Sequence, residues 1–353
     1  MKKICRWRWI LTAVSVALLV SGCAGAGTSG EKTEDKKELK IGISVYDQYD
    51  TFVASVVSYL QTYAKEKEND WGITITLEIQ NANNNQMTQN DQMDDFIERD
   101  FDITCINLVD RTDASTIIEK AKNANVPVIF FNRELVEEDL ERWDKLYYVG
   151  ADAFLSGEIQ GEILVEECGK NFAAIDKNGD GVLQYVILEG EPGHNDSMVR
   201  TMSVIAKLNE GGIAVEKLSD EIANWNRGQA ETKMNQWLSN YGELIEVVLA
   251  NNDDMALGAI DALKKTGWDR WPVVLGIDGT DVGLKAVENK EMLGTVLNDS
   301  MGQAEGMLEL AYSVTSGKEL PEDIDLMDGK YIRLPYQKVT QENVDQVILD
   351  QKL

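Results

Sequence analysis

Nine consecutive residues carry an oxygen-rich spacing. In Asp176-Lys177-Asn178-Gly179-Asp180-Gly181-Val182-Leu183-Gln184, side-chain oxygens fall at loop positions 1, 3, 5 and 9. Val182 would offer its carbonyl at position 7, and Gly181 at position 6 allows the sharp turn. Hard oxygen donors at this spacing suit calcium. The pattern breaks at position 12, where Ile187 replaces the usual bidentate glutamate. A carboxylate from elsewhere must therefore complete the shell, and the expected role of the ion is structural.

A second set is scattered along the chain: Asp50, Phe52, Asn132, His194, Asp196, Arg200, Trp225, Asn252, Asp278 and Asn298. Asp and Asn are planar groups that can each make two hydrogen bonds, which suits vicinal hydroxyls. Phe52 and Trp225 offer flat apolar faces for the C–H side of a pyranose ring. Asp50, Asp196 and Asp278 would repel one another and raise each other's pKa without a counter-charge. Arg200 is the cation of the set. It stands four residues after Asp196, on the same face of a helix start. Glycine-rich phosphate loops are absent from the sequence, which excludes the usual nucleotide cradles. The chemistry is hydrogen bonding to a neutral sugar.

The elements that must position these residues follow from hydrophobic periodicity. Strands are predicted at 41–46, 73–79, 102–108 and 126–131, with helices at 52–67, 86–99 and 114–123. After a bridging strand at 147–150, helices at 154–168, 196–210, 227–240, 253–266 and 280–290 alternate with strands at 184–189, 213–218, 245–250, 272–277 and 293–298. Alternation of this kind means α/β architecture with parallel sheets covered by helices on both faces. There are too many strands for one core, so two doubly wound lobes are expected. Ligands of such sheets bind beyond the carboxyl ends of the strands, and Asp50, Asn132, His194, Asp196, Trp225, Asn252, Asp278 and Asn298 fall at those ends.

The chain starts with a leader-like segment. Lys2, Lys3, Arg6 and Arg8 precede the apolar run Trp9–Val20, and Val20-Ser21-Gly22-Cys23 closes it. That run rises about 18 Å as a helix against a hydrocarbon core of about 30 Å, too short to span. It resembles a bacterial lipoprotein signal at 1–22, with Cys23 as the lipidated residue and 23–38 a polar tether. The expected location is extracytoplasmic, anchored to the cell membrane by lipid. Without the four leader cations, the formal charge of −27 becomes about −31, a balance that nucleic acid would repel. Cys105 and Cys168 remain after the leader and read as small buried hydrophobes.

Several segments together carry a resemblance that runs from Lys40 to the C-terminus. They are Tyr46-Asp47-Gln48-Tyr49-Asp50-Thr51-Phe52, Ile106-Asn107-Leu108-Val109-Asp110, Val126-Pro127-Val128-Ile129-Phe130-Phe131-Asn132 and Tyr147-Tyr148-Val149-Gly150. They continue with Glu189-Gly190-Glu191-Pro192-Gly193-His194-Asn195-Asp196, Ala250-Asn251-Asn252-Asp253 and Gly294-Thr295-Val296-Leu297-Asn298-Asp299. The chain resembles the galactose/glucose-binding proteins of bacterial ABC transport, in the sugar-binding branch of the type I periplasmic-binding-protein superfamily.

The resemblance implies a hexose site at the ten residues above, with Asp50 on the hydroxyl that separates glucose from galactose. Phe52 and Trp225 would sandwich the ring, and the other seven would bond its remaining oxygens. It also implies that Glu246 completes a calcium set of Asp176, Asn178, Asp180, Val182, Gln184 and Glu246. A three-strand hinge would join a lobe of 39–149 plus 300–333 to one of 150–299 plus 334–353. The crossings would lie near Tyr148–Ala151, Val296–Ser300 and Arg333–Tyr336. The implied partners are D-glucose or D-galactose and an ABC permease, the chain acting as a monomer. A lipoprotein reporting to a chemoreceptor or sensor kinase is an alternative with the same site. An enzyme using Asp50 and Asp278 as a glycosidase pair is the remaining rival, but no nucleophile motif accompanies them.

Overall fold

The computed structural model of this chain describes residues 38–351. The expected leader, Cys23 and the tether up to residue 37 lie outside the described residues. The chain begins β1 (Glu38–Val45), α1 (Thr51–Trp71), β2 (Thr74–Asn81), α2 (Gln86–Glu98), β3 (Ile103–Ile106), α3 (Ser115–Ala124), β4 (Val128–Phe131), α4 (Glu137–Leu140) and β5 (Leu146–Gly150). A second series follows with α5 (Ala153–Ile175), β6 (Leu183–Glu189), α6 (Asn195–Glu210), β7 (Val215–Ile222) and α7 (Arg227–Tyr241). It runs on through β8 (Val247–Ala250), α8 (Asp253–Lys264), β9 (Val273–Leu275), α9 (Asp281–Glu288) and β10 (Gly294–Leu297). The described chain closes with α10 (Ser300–Ser316), β11 (Tyr331–Arg333), β12 (Gln337–Thr340) and α11 (Val344–Asp350).

The strands form two six-stranded sheets, ordered β11-β5-β4-β3-β1-β2 and β12-β10-β9-β8-β6-β7. Pairing is parallel throughout the first. In the second, the edge strand β12 runs antiparallel to β10 and the rest are parallel. Helices cover both faces, so central strands such as β3 (ITCI) and β4 (VIFF) are buried throughout and read as continuous apolar runs. Cys105 lies in β3, and Cys168 lies in α5. Both are free and buried, and burial pushes the Cys168 thiol up to about 11.

The chain crosses between the sheets after β5, after β10 and after β11. α10 returns to pack on α1 and the first sheet, whereas α11 packs on α9 and β12. Several boundaries differ from the sequence reading; the helix expected over 52–67, for example, runs on to Trp71. The helix expected to end at 168 continues to Ile175 across a non-helical Asn171 (φ −160°). The strand expected at 213–218 is displaced to Val215–Ile222, an edge strand with an irregular burial pattern.

Strand ends turn directly into helix starts, and the caps are chemistry-bearing residues. The Asp50 carboxylate accepts from Val53 N at 2.9 Å, His194 Nδ1 from Asp196 N at 3.1 Å, and the Asn252 amide oxygen from Met255 N at 2.9 Å. Each satisfies a backbone N–H that a helix start leaves unpaired. The same residues are thereby fixed at the carboxyl edge of the sheets.

Candidate functional site

At that edge a cavity is lined by Tyr46, Asp50, Phe52, Asn132 and Arg133 from the first lobe. The second lobe supplies His194, Asp196, Arg200, Trp225, Asn252 and Asp278. The space among these side chains, open solvent included, is about 320 Å³. Nine of the ten sugar-site residues expected from the sequence line it. Asn298 does not. It is 2% exposed, donates its backbone N–H to Asp278 O (3.0 Å) and accepts from Gln303 Nε2 (2.9 Å). Asn298 therefore braces the strand end beside Asp278 at a lobe crossing.

The second-lobe wall is organised around Arg200, which is 3% exposed. Its Nη1 donates to Asn251 O at 2.7 Å and stands 3.4 Å from Asp278 Oδ1. Its Nη2 stands 3.6 Å from Asp196 Oδ2 and 3.3 Å from the Tyr336 hydroxyl. Burial raises the pKa of both carboxyls, well above the ordinary value for Asp278, and Arg200 pulls each back. Burial also holds His194 well below its usual pKa, and Arg133 and Arg200 push it further the same way. The imidazole is therefore neutral. Since Nδ1 accepts from Asp196 N, its proton sits on Nε2, which becomes a donor.

The first-lobe wall is built on Tyr46. Its hydroxyl donates to Asp50 Oδ2 at 2.5 Å, and the Arg133 guanidinium lies over its ring at 3.3 Å. Asn132 is held from behind: Asn107 Nδ2 donates to Asn132 Oδ1 at 3.1 Å and to Phe131 O at 3.0 Å. Asn107 thus shapes the backbone there.

Three lining residues hold positive φ: Asn132 (59°), Trp225 (60°) and Asp278 (117°). Side chains of L-residues rarely adopt that region, and such strain persists where the surroundings over-determine it. Trp225 also depends on Gly190, where a Cβ would come within 2.0 Å of Trp225 Cζ2. Arg200 Nε and Trp225 Nε1 are buried with no hydrogen-bond partner among the described residues. Unpaired buried donors are costly, and these two belong to residues that line the cavity.

Sequence reasoning missed two of the lining residues and two that hold Arg200. Arg200 was expected to be the cation of the set, yet Arg133 places a second guanidinium in the wall. Its signal was adjacency to Asn132 at a strand end. Tyr46 directly follows β1, and its residue type alone does not mark it as a sugar-site group. Tyr336 and Asn251 act on Arg200 through long-range contacts that no spacing reveals.

The loop at 176–184 folds around its own oxygens. Asp176 accepts from Gly179 N (2.7 Å) and Gly181 N (3.0 Å), and Asp180 from Val182 N (2.8 Å). Asn178 Nδ2 lies 3.0 Å from both Asp180 Oδ2 and Gln184 Oε1. Glu246, 1% exposed, accepts from the backbone of Lys177, Asn178 (3.3 Å) and Gln184 (3.1 Å). Among the described residues, no three Asp, Glu, His or Cys side chains cluster as a metal site unaided. Amide and carbonyl oxygens would have to complete one. The donor types fit a hard cation such as calcium, and Glu246 reaches the loop from the start of β8. Glu216, absent from the expected set, stands 3.3 Å from Gln184 Nε2.

A family profile described as "Periplasmic binding protein domain" matches residues 41–319. The D-galactose/methyl-galactoside binding periplasmic protein of Haemophilus influenzae is 36% identical over 95% of this chain and 97% of its own length. A xylitol-binding protein of Mycolicibacterium smegmatis is 29% identical, covering 96% of this chain and 86% of the relative. Among solved structures, an ABC transporter solute binding protein of Bacillus halodurans with bound myo-inositol superposes with a TM-score of 0.73. It is 27% identical and covers 89% of this chain and 98% of that one.

Proposed function

The chain belongs to the periplasmic binding protein family, and from that premise we propose that it captures D-galactose or D-glucose between its lobes and delivers the sugar to an ABC permease. Its fold and relatives are those of solute-binding proteins and not of enzymes. The observation that carries the hexose reading is the wall in which buried Arg200 stands between Asp196 and Asp278, with Phe52 and Trp225 lining the same cavity. The galactose-binding relative supports it. Relatives named for xylitol and ribose keep the choice of sugar a matter for experiment.

Each group has a role in this reading. Asp196 and Asp278 accept from sugar hydroxyls, while Arg200 Nε and the Nε2–H of His194 donate. Asp50 accepts from the hydroxyl that differs between the epimers. The two lobes contribute opposite walls, so a bound ring favours the closed arrangement by contacts an open one lacks. A permease or, alternatively, a membrane sensor would read that closed form.

Calcium at Asp176, Asn178, Asp180, Val182, Gln184 and Glu246 would pin the loop before β6, the strand that delivers His194 and Asp196. Lipidation at Cys23 would hold the protein at the membrane, and among the described residues no helix is long and apolar enough to cross one. Tryptophan fluorescence tests the site. D-galactose or D-glucose should perturb emission of the wild-type chain and leave Trp225→Phe much less affected. Equal responses in the two would place the sugar elsewhere.

A further inference from the structure

Arg133 does more than line the cavity. Its guanidinium is fixed on three sides: over the Tyr46 ring at 3.3 Å, with Nη1 donating to Val109 O at 3.1 Å, and with Nη2 donating to Glu191 Oε2 at 2.9 Å. The first two partners belong to its own lobe. Glu191 belongs to the other, in the loop between β6 and α6 that carries His194 and Asp196. Arg133 is 4% exposed overall, and the Glu191 side chain 28%. The pair is thus largely withdrawn from water where the lobes meet.

A second bridge joins the starts of α1 and α8, where Thr51 Oγ1 donates to Asp254 Oδ2 at 2.5 Å. The charges around it oppose closure. Asp254 has its pKa raised by burial and further by Asp50, which faces it across the cleft. Asp50 and Asp254 likewise raise Asp278, after burial and Asp253. Like charges therefore meet at the Asp50 side of the cleft, while opposite charges meet at Arg133 and Glu191.

We propose that the Arg133–Glu191 ion pair is a bolt between the lobes: Arg133 is a positioning residue that holds the loop bearing His194 and Asp196 against the first lobe and so sets how slowly sugar leaves. The pair joins groups on opposite lobes, so it forms after encounter, when the lobes close. A contact of that kind changes dissociation more than association. The stacking on Tyr46 presents the guanidinium in one orientation, which reduces the entropy lost when Glu191 arrives. This inference rests on the sugar-binding reading.

The test is stopped-flow kinetics with the tighter-binding of D-galactose and D-glucose on wild type, Glu191→Gln, Arg133→Met and the double variant. Glu191 is the primary target because it does not line the sugar cavity. Glu191→Gln should release sugar about tenfold faster, with association changed less than about twofold. The double variant should release sugar no faster than Arg133→Met alone. Release from Glu191→Gln within about twofold of wild type, or additive effects of the two substitutions, would overturn the bolt. If the wild-type chain binds neither hexose, the sugar reading falls instead. The bolt is then decided by the same release comparison with whichever of D-ribose, xylitol and myo-inositol the wild type binds: Glu191→Gln should release it about tenfold faster, and release within about twofold of wild type overturns the bolt.

Discussion

The two walls of the cavity are built on different principles. In the second-lobe wall, Arg200, Asp196, Asp278, Asn251 and Tyr336 form one buried network in which the charged groups compensate each other. In the first-lobe wall, Asp50 and Arg133 are organised by a single ring, Tyr46, and Arg133 spends one face on the other lobe. The contrast assigns the second lobe the pre-organised receptor and the first lobe the closing face. Binding energy should therefore be lost most heavily from the second wall.

The largest effects test that directly. Asp278→Ala leaves Arg200 short of a partner and should weaken hexose binding by about 3 kcal/mol, roughly a hundredfold. Trp225→Ala, which removes a stacking face and the aromatic cover over Gly190, should cost at least as much in calorimetry. Near-normal affinity in either variant would mean the receptor wall is misassigned. A substitution in the first wall should cost less and act on selectivity. Asp50→Asn keeps the cap on α1, since Asn caps as well as Asp. It should lower affinity about tenfold and shrink the difference between galactose and glucose. A loss as large as that of Asp278→Ala would erase the distinction between the walls.

A smaller effect is expected behind the second wall. Chelation with EDTA should lower the melting temperature of wild type, and Glu246→Gln should reproduce the drop and abolish the response to chelator. Superimposable melting curves with and without EDTA would remove calcium from this account. The smallest concerns Asp253, buried under the same lobe and accepting from Thr280 and Thr295. Burial pushes its carboxyl from 3.8 up to about 7. Over that interval the folded chain keeps a proton that the unfolded chain has lost. This group's contribution to stability therefore falls as pH rises from about 4 to about 7. Asp253→Asn should flatten that part of the stability–pH curve, and denaturant titrations at pH 5 and pH 8 compare the slopes.

The unequal legibility of the two walls has a physical basis. Asp196 and Arg200 sit one helical turn apart, and His194 and Asn252 cap helices at strand ends, so local spacing reveals them. The role of Arg133 depends on Tyr46, Val109 and Glu191, which approach it only through the fold, so the sequence marked Asn132 and passed over its neighbour. Asn298 has the right residue type at the right strand end, with its amide oxygen taken by Gln303 and its backbone N–H by Asp278. The alternation of strands and helices was readable up to residue 298 because central strands such as β3, β4 and β8 are short, wholly buried runs, and the one strand displaced was β7, a mixed edge strand. β11 and β12 are three and four residues long and half-buried, too short to carry a period.

Calorimetric titration of the chain with D-galactose, D-glucose, myo-inositol, xylitol and D-ribose, calcium present, tests the central claim most directly. The account predicts a 1:1 complex with a hexose tighter than about 1 μM, near −8 kcal/mol, and at least tenfold weaker binding of the pentose and the two polyols. Tighter binding of xylitol, ribose or inositol than of either hexose would contradict it.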